Sequence, residues 1–381
     1  MPLARSTRHT SAMTQDPRLT AIATQLPATV PFVGPETQER ARGAGFAARL
    51  GANESGFGPS PQAIDAMTDA AQEVWQYGDP EMHDLRQALA AHHGVAADNI
   101  MPGEGIDGLL GTLARLMIAP GDSIVTSAGA YPTFNYHVAG NGGVLHTVPY
   151  RDDREDLPAL IEKARETEAK LIYFANPDNP MGSWISGQRI TELLDDLPAT
   201  TLLVLDEAYS DTAPAEATPT LDITDTRLLR FRTFSKAYGL AGLRVGYALG
   251  AKSVVGQFNK MRNHFGVGRL AQAAALGALT DQSYLKRTCQ RIADARARLA
   301  EIAQENGLHA LPSATNFVAI DCGQGGDFAR KVLAELIAAG IFVRMPFVAP
   351  QDRCIRVSVG PEAQLDAFAA ALPKALAAAA S

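Results

Sequence analysis

Short apolar runs alternate with helix-like stretches between about residues 62 and 265. Helical periodicity is present near residues 62–75, 83–93, 107–118 and 187–195. Apolar runs of strand length occur at residues 123–127, 143–148, 171–175, 202–206, 228–234 and 245–249. Short apolar strands separated by helices predict an α/β domain with a mainly parallel sheet.

The pattern changes after residue 268. A long helical stretch over about 269–305 precedes short strands and two further helical stretches, which is typical of a smaller α+β unit. Pro373 is predicted to kink or end the last, alanine-rich helix. We therefore predict a partly disordered N-terminal extension over residues 1–30, an irregular arm over 31–61, a large domain over 62–268 and a small domain over 269–381.

Composition and charge remove several classes of protein. The chain has 381 residues, is 46% hydrophobic and carries a net charge of −7. It has no basic cluster for nucleic acid, and its apolar stretches are too short and too often broken by charge for a membrane span. Cys289, Cys322 and Cys354 are too far apart for a metal-binding pair, and their odd number argues against a disulfide framework. No metal site is expected, and the cytoplasm is the predicted compartment.

The most informative segment surrounds Lys236. Thr233 and Ser235 precede this lysine, and Arg244 follows eight positions on, among glycines. A nearby cation and partial burial lower the pKa of a lysine and make its amine nucleophilic. The hydroxyls and the guanidinium can bind a phosphate, although a strand end beside a surface arginine is the structural alternative.

Two polar groups follow predicted strands upstream of Lys236. Asp206 ends an apolar run and is followed by Tyr209, and Asn179 lies in a turn between two prolines. Ligands bind at the carboxyl ends of such strands, where a carboxylate can keep a pyridine nitrogen protonated. A helix N-cap for Asp206 and an Asx-turn for Asn179 are the alternatives.

Three further features suit a cofactor and an anionic substrate. Residues 103–108 match G-x-G-x-x-G before a helix, but residues 99–102 make a poor strand, so we interpret the motif as a phosphate-binding helix N-terminus. Tyr131 follows a strand and could stack on a ring, with packing in the core as the alternative. Arg356 lies between apolar neighbours and would bind a carboxylate, with a structural ion pair as the alternative.

Together these motifs resemble, in order and spacing, the class I/II aminotransferases of pyridoxal phosphate (PLP) fold type I, from about residue 31 to the C-terminus. The resemblance implies that the sheet of the large domain is mainly parallel but mixed and of the seven-stranded type. It also implies that Lys236 carries the cofactor covalently and that Asp206 pairs with its pyridine nitrogen. It implies that Tyr131 stacks on the ring and that Asn179 and Tyr209 contact the ring oxygen.

The same resemblance implies a phosphate site and a homodimer. The residues that it assigns to the cofactor phosphate are Gly105, Ile106, Asp107, Thr233, Ser235 and Arg244. Tyr77 would reach the phosphate of the partner subunit, and Arg356 would bind the carboxylate of an amino donor or of a 2-oxo acid such as 2-oxoglutarate.

Within this family the chain looks most like the histidinol-phosphate aminotransferases, on residues 50–54, 56–61 and 340–344. That likeness implies that Asn53 lies at the substrate and that Arg344 meets a substrate phosphate. Phe32 stands where the subfamily usually has a tyrosine that touches the phosphate, and Met181 and His264 also depart from the usual pattern. The phosphorylated substrate is therefore left open at this point.

Three other activities compete with this interpretation. An aromatic or other amino-acid aminotransferase, or a PLP-dependent decarboxylase of the threonine-phosphate type, would need nearly the same residues because the cofactor does the chemistry. A nicotinamide-dependent oxidoreductase would rest on residues 103–108 alone.

Overall fold

The computed structural model describes residues 18–28, 33–220 and 222–381. Most of the predicted N-terminal extension, including residues 1–17, lies outside the described residues, and so does Phe32.

Twelve strands are present in these described ranges. They are β1 (Ala48–Arg49), β2 (Ile100–Gly103), β3 (Ser123–Ser127), β4 (Val144–Val148), β5 (Leu171–Ala175), β6 (Leu202–Asp206), β7 (Leu228–Thr233), β8 (Gly246–Gly250), β9 (His309–Ala310), β10 (Phe317–Asp321), β11 (Ile341–Phe342) and β12 (Cys354–Ser358). The six apolar runs predicted as strands coincide with β3 to β8 to within one residue.

A seven-stranded sheet has the order β2-β8-β7-β6-β5-β3-β4. Strand β8 runs antiparallel to both its neighbours, and the other neighbouring pairs are parallel. All five residues of β5 and of β6 are buried, as expected for central strands covered by helices on both faces. The predicted mixed α/β sheet is confirmed.

Strand β2 forms where the sequence predicted only a poor strand, over residues 99–102. It pairs with β8 alone at one edge of the sheet, and Pro102 lies opposite Tyr247. Proline is tolerated on an edge strand because its missing N–H leaves no central ladder bond unmade.

The helices of the described residues number thirteen. They are α1 (Ala21–Gln25), α2 (Pro35–Arg42), α3 (Pro61–Ala71), α4 (His83–His93), α5 (Gly105–Met117), α6 (Thr133–Gly140), α7 (Leu157–Glu166), α8 (Gly187–Leu194), α9 (Lys252–Val255), α10 (Arg269–Thr280), α11 (Gln282–Glu305), α12 (Gly326–Ala338) and α13 (Glu362–Ala379).

Several helices differ from the predicted pattern. The stretch over 269–305 is two helices, because Asp281 caps the second one through the N–H of Tyr284. Helix α13 continues through Pro373 to Ala379. Helices α1, α2, α6, α7 and α9 were not predicted. Residues 133–140 are rich in aromatic and β-branched side chains, which weakens their helical signal.

A second packed region joins the two ends of the chain. Strand β10 lies between β9 and β12, and its residues pack with those of α11, α12 and α13. Strand β1 pairs in parallel with β11, so Ala48 and Leu50 enter the same cluster. The N-terminal arm therefore reaches the C-terminal region. In the ranges that the structure describes, no helix is both long and apolar enough to cross a bilayer.

Candidate active site

A cavity of about 550 Å³ lies at the carboxyl ends of the central strands of the large sheet and is also lined by residues 344–348 and 356 of the second packed region. This size is ordinary for a site that binds a small molecule. The residues predicted from the sequence that line it are Asn53, Ile106, Asp107, Tyr131, Asn179, Asp206, Tyr209, Thr233, Ser235, Lys236, Arg244, Arg344 and Arg356.

Lys236 projects into this cavity from the turn after β7. Its Nζ donates to the carbonyl oxygen of Asn53 at 3.2 Å and lies 5.6 Å from the centroid of the Tyr209 ring. Burial, together with the charges of Arg356 and Arg244, lowers the pKa of Lys236 to about 8. A substantial fraction of this amine is therefore neutral and nucleophilic near neutral pH.

Asp206 lies at the end of β6 and is 4% exposed. Its carboxylate accepts from Tyr173 at 2.5 Å and from the N–H of Ala208 at 2.9 Å. Burial raises the pKa of Asp206, whereas these two bonds and the charge of Lys236 favour the ionised form. A buried carboxylate with hydrogen bonds already in place is suited to pair with a cationic ring nitrogen.

The anion-binding end of the cavity is formed by the first turn of α5 and by the turn after β7. Gly105 has φ +72°, and a Cβ there would come within 2.8 Å of Nη2 of Arg244. The same guanidinium donates to Oγ of Ser235 at 3.4 Å, and Thr233 donates to that Oγ at 2.9 Å. Arg244 itself has the left-handed conformation, with φ 52°. The unpaired N–H groups of a helix N-terminus, two hydroxyls and a guanidinium together favour a phosphate.

Asn53 occupies the centre of a hydrogen-bond network on the other side of the lysine. It has φ 57° and is 2% exposed. Its Nδ2 donates to the hydroxyl of Tyr209 at 3.1 Å, and its Oδ1 accepts from Ser358 at 2.8 Å. The hydroxyl of Tyr209 also accepts from Asn179 at 3.5 Å. Asn53 thus connects the N-terminal arm, the large sheet and β12, and backbone strain of this kind is common at functional sites.

Two arginines lie side by side on the side of the cavity that the second packed region lines, which we call its opening. The backbones of Arg344 and Arg356 exchange both hydrogen bonds, at 3.2 and 2.6 Å. Arg356 donates to Asn179 and to the carbonyl of Gly51, and its Nε has no partner among the described residues. Burial lowers the pKa of Arg356 to about 10, and the charge of Arg344 contributes to that lowering. Two adjacent, partly desolvated cations call for an anion.

Two predicted residues of the described ranges do not line this cavity. Gly105 lies behind Arg244 in the phosphate end. Tyr77 is 79% exposed and its ring contacts that of Phe265, with centroids 4.8 Å apart. Phe32 falls outside the described residues.

The sequence did not indicate several contributors. Tyr173 reads as a core aromatic within an apolar strand, yet it binds Asp206, because Ala175 lies opposite Asp206 and Tyr173 therefore shares the face of that carboxylate. Asn316 donates to the carbonyl of Asn53 at 2.9 Å, and the hydroxyl of Ser358 accepts from the backbone N–H of Asn53. Period-two alternation in β5 could have identified Tyr173, but no local pattern could have identified the other two.

The residues present fit pyridoxal phosphate. An amine with a lowered pKa, a buried carboxylate and an anion-binding helix terminus line one cavity of suitable size. These are the groups that this cofactor requires for covalent attachment, for its ring nitrogen and for its phosphate.

Comparison with known proteins defines the class. The family model described as aminotransferase class I and II matches residues 48–372. The chain therefore belongs to the class I and II aminotransferases, which are PLP-dependent enzymes, and the predicted class and cofactor are confirmed. Membership of this family rules out the nicotinamide-dependent oxidoreductase.

Several of its relatives carry a more specific name than that of the family. The chain is 33% identical over 346 residues to the histidinol-phosphate aminotransferase of Moorella thermoacetica, covering 90% of this chain and 89% of that protein. It is 36% identical over 333 residues to histidinol-phosphate aminotransferase 2 of Pseudomonas fluorescens, covering 86% and 89%. The crystal structure of histidinol-phosphate aminotransferase from Sinorhizobium meliloti in complex with pyridoxal-5'-phosphate superposes with a TM-score of 0.93 at 53% identity, covering 96% of this chain and 99% of that one.

Proposed function

We propose that this aminotransferase moves an amino group between histidinol phosphate and 2-oxoglutarate. The observation that carries the proposal is the pair Arg344 and Arg356 at the opening of the cavity. The names of the relatives and the 53% identity to the Sinorhizobium meliloti enzyme support it.

The arginine pair matches the charges of the two substrates. A phosphate monoester is close to a dianion at neutral pH, and two adjacent guanidinium groups can bind it by charge-assisted hydrogen bonds. Arg344 is less constrained, since among the described residues its guanidinium donates one hydrogen bond, to the carbonyl of Val33 at 3.0 Å. We assign Arg344 to the substrate phosphate. Arg356, fixed by Asn179 and Gly51, would bind a carboxylate of glutamate or 2-oxoglutarate and would support Arg344 when histidinol phosphate is bound.

We assign the remaining roles from the same contacts. When bound, pyridoxal phosphate supplies an electron sink for negative charge at the α-carbon of the substrate. Lys236 would hold the cofactor covalently and, once displaced by the substrate amine, would move the proton of that α-carbon through Nζ. Asp206 would accept a hydrogen bond from the pyridine nitrogen, and Tyr173 would orient that carboxylate.

The other ring and phosphate contacts follow the hydrogen-bond network. Tyr209 and Asn179 would contact the ring oxygen, and Tyr131 would lie against the ring face. The phosphate would be held by the first turn of α5, comprising Gly105, Ile106 and Asp107, together with Thr233, Ser235 and Arg244. Asn53 would act from beneath the lysine, through Tyr209.

We also propose that the active unit is a homodimer. Four large apolar residues are strongly exposed here: Val74 (57%), Trp75 (82%), Tyr77 (79%) and Phe265 (51%). Large exposed apolar groups close together favour an interface. Because Tyr77 lies outside the cavity of its own chain, it is available to reach the phosphate of the partner subunit.

A specific observation favours one other substrate class. The loop that closes one side of the opening contains Met345, Pro346, Phe347 and Val348, which all line the cavity. An apolar wall of this kind would suit the side chain of an aromatic amino acid.

A screen of amino donors tests the proposed substrate. The wild-type enzyme is mixed with histidinol phosphate, glutamate, phenylalanine or threonine phosphate, and the loss of the bound-cofactor absorbance is recorded in single turnover. We expect histidinol phosphate and glutamate to react. Robust reaction with phenylalanine and none with histidinol phosphate would contradict the proposal, and carbon dioxide release from threonine phosphate would indicate the decarboxylase.

Sedimentation tests the dimer. At assay concentration the wild-type chain should sediment at twice its 40.4 kDa mass. Trp75→Glu should shift it toward the monomer, whereas Val144→Glu, a matched change at an exposed apolar residue elsewhere, should not. A fully active wild-type monomer would contradict the proposal.

A further inference from the structure

We propose that His137 is a positioning residue for the cofactor phosphate, which it serves by holding the carboxylate of Asp107 away from the phosphate end of the cavity. This inference rests on the proposed placement of that phosphate between Arg244 and the first turn of α5.

Asp107 poses a charge problem at this site. It is the third residue of α5, in the turn whose N–H groups face the anion-binding end. A carboxylate at this position is attracted to the same N–H groups as a phosphate, and it repels the phosphate if both approach them. Burial raises the pKa of Tyr131, and the charge of Asp107 adds to that rise. The field of this carboxylate therefore reaches the cavity.

His137 holds the carboxylate from the side of α6. Its Nε2 lies 2.7 Å from Oδ1 of Asp107, and because a carboxylate only accepts, this nitrogen must carry the proton. The ring rests against α5 because residue 111 is glycine, where a Cβ would come within 2.8 Å of the imidazole. The end of α6 is fixed in turn, since Asn141 donates to the carbonyl of His137 at 2.8 Å.

These contacts make a specific arrangement. The histidine is partly buried, its ring is received by a glycine one helical turn beyond Asp107, and its N–H binds one carboxylate oxygen on the α6 side of the helix. The carboxylate is thereby held toward α6 and away from the N–H groups that the phosphate requires. If His137 had only a structural role, the effect of replacing it would not depend on the charge of Asp107.

The test is a double-mutant cycle on cofactor affinity. Apoenzyme is titrated with pyridoxal phosphate, and separately with pyridoxal, which lacks the phosphate, for wild type, His137→Leu, His137→Gln, Asp107→Asn and the double variant His137→Leu/Asp107→Asn. We expect His137→Leu to weaken pyridoxal phosphate on the order of tenfold, as for a lost hydrogen bond to a charged group. His137→Gln should restore most of the affinity, because its amide N–H can replace Nε2.

The carboxylate and the phosphate must both be needed for the effect. His137→Leu should therefore leave pyridoxal binding unchanged and should cost nothing further in the Asp107→Asn background. The ³¹P resonance of the bound cofactor should shift in His137→Leu and return in His137→Gln. Equal weakening of pyridoxal, or equal weakening with Asp107 already replaced, would overturn the proposal and assign His137 a purely structural role.

Two further variants separate this inference from the proposed function. Arg244→Gln should weaken pyridoxal phosphate at least as much as His137→Leu does. An unchanged affinity there would overturn the proposed phosphate site and this inference with it. His146→Leu, at a partly buried histidine bonded to Ser123 on the far strands of the sheet, should bind like wild type.

Discussion

The side of the cavity that carries Lys236, which we call its inner end, and the opening are built in different ways. At the inner end, Lys236, Asp206 and Arg244 extend from strand ends and turns of one sheet, within 39 positions of the chain. At the opening, Arg344 and Arg356 come from the second packed region, and the carbonyl of Val33 comes from the N-terminal arm. The inner end is suited to a fixed cofactor, whereas the opening is an assembly of distant segments.

This difference indicates where chemistry and specificity reside. Side chains on the ends of parallel strands are held by the sheet ladder, so their geometry depends little on the rest of the chain. The opening depends on how the C-terminal strands and the N-terminal arm pack. Changes at the inner end should therefore abolish the reaction for every substrate, and changes at the opening should alter the choice among substrates.

The largest effect is expected for Lys236→Ala. Loss of the amine removes both covalent attachment and the proton-transferring group, so turnover should fall by several orders of magnitude with every amino donor. Borohydride treatment should no longer fix the cofactor to the chain. Lys170→Ala, at a surface lysine paired with Asp122, should behave as wild type. Normal turnover by Lys236→Ala would contradict the assignment of the chemistry to the inner end of the cavity.

The pH dependence of cofactor attachment should come next in size. The pKa of Lys236 is lowered from 10.5 to about 8, so at pH 7 its neutral fraction is roughly 300-fold larger than for an ordinary lysine. Because the neutral amine attacks, the rate of attachment to apoenzyme should rise about tenfold per pH unit below 8 and level off above it. A rate that still rises tenfold between pH 9 and 10 would show an ordinary lysine.

Asp206→Asn should slow the half-reaction on the order of 100-fold or more, since each loss of ~1.4 kcal/mol of barrier lowering is tenfold in rate. The reason is that an amide cannot stabilise a positive charge on the ring nitrogen. Pyridoxal phosphate should still bind, because the phosphate end is intact. Asp195→Asn, at an exposed aspartate after α8, is the control. An unchanged single-turnover rate would refute the role assigned to Asp206.

What could be predicted from the sequence also differs between the inner end and the opening. Strands β3 to β8 were predictable because each is a short, continuous run of mainly apolar residues. The polar site residues at their ends were predictable because they directly follow these runs in the chain. Strand β2 was missed because Pro102 masks an edge strand. Asn53, Ser358 and Asn316 meet across some 260 to 305 positions, so no local pattern could bring them together.

The smallest of these effects should be the most selective one. Arg344→Ala should raise KM for histidinol phosphate by about 10- to 100-fold, the loss of one charged hydrogen-bonding partner. KM for phenylalanine should change little, because that substrate has no phosphate. Arg330→Ala, at an exposed arginine paired with Asp327, is the matched control. An equal rise in KM for both substrates would show that the opening contributes to substrate binding in general and does not select for the phosphate.

The most direct test of the central claim compares two donors that differ by the phosphate alone. The wild-type enzyme is given histidinol phosphate and histidinol, and kcat/KM is measured for each in the half-reaction. The account predicts a preference for the phosphate ester of at least about 100-fold, because the arginine pair would be left without its anion by histidinol. Equal kcat/KM values for the two donors would contradict it.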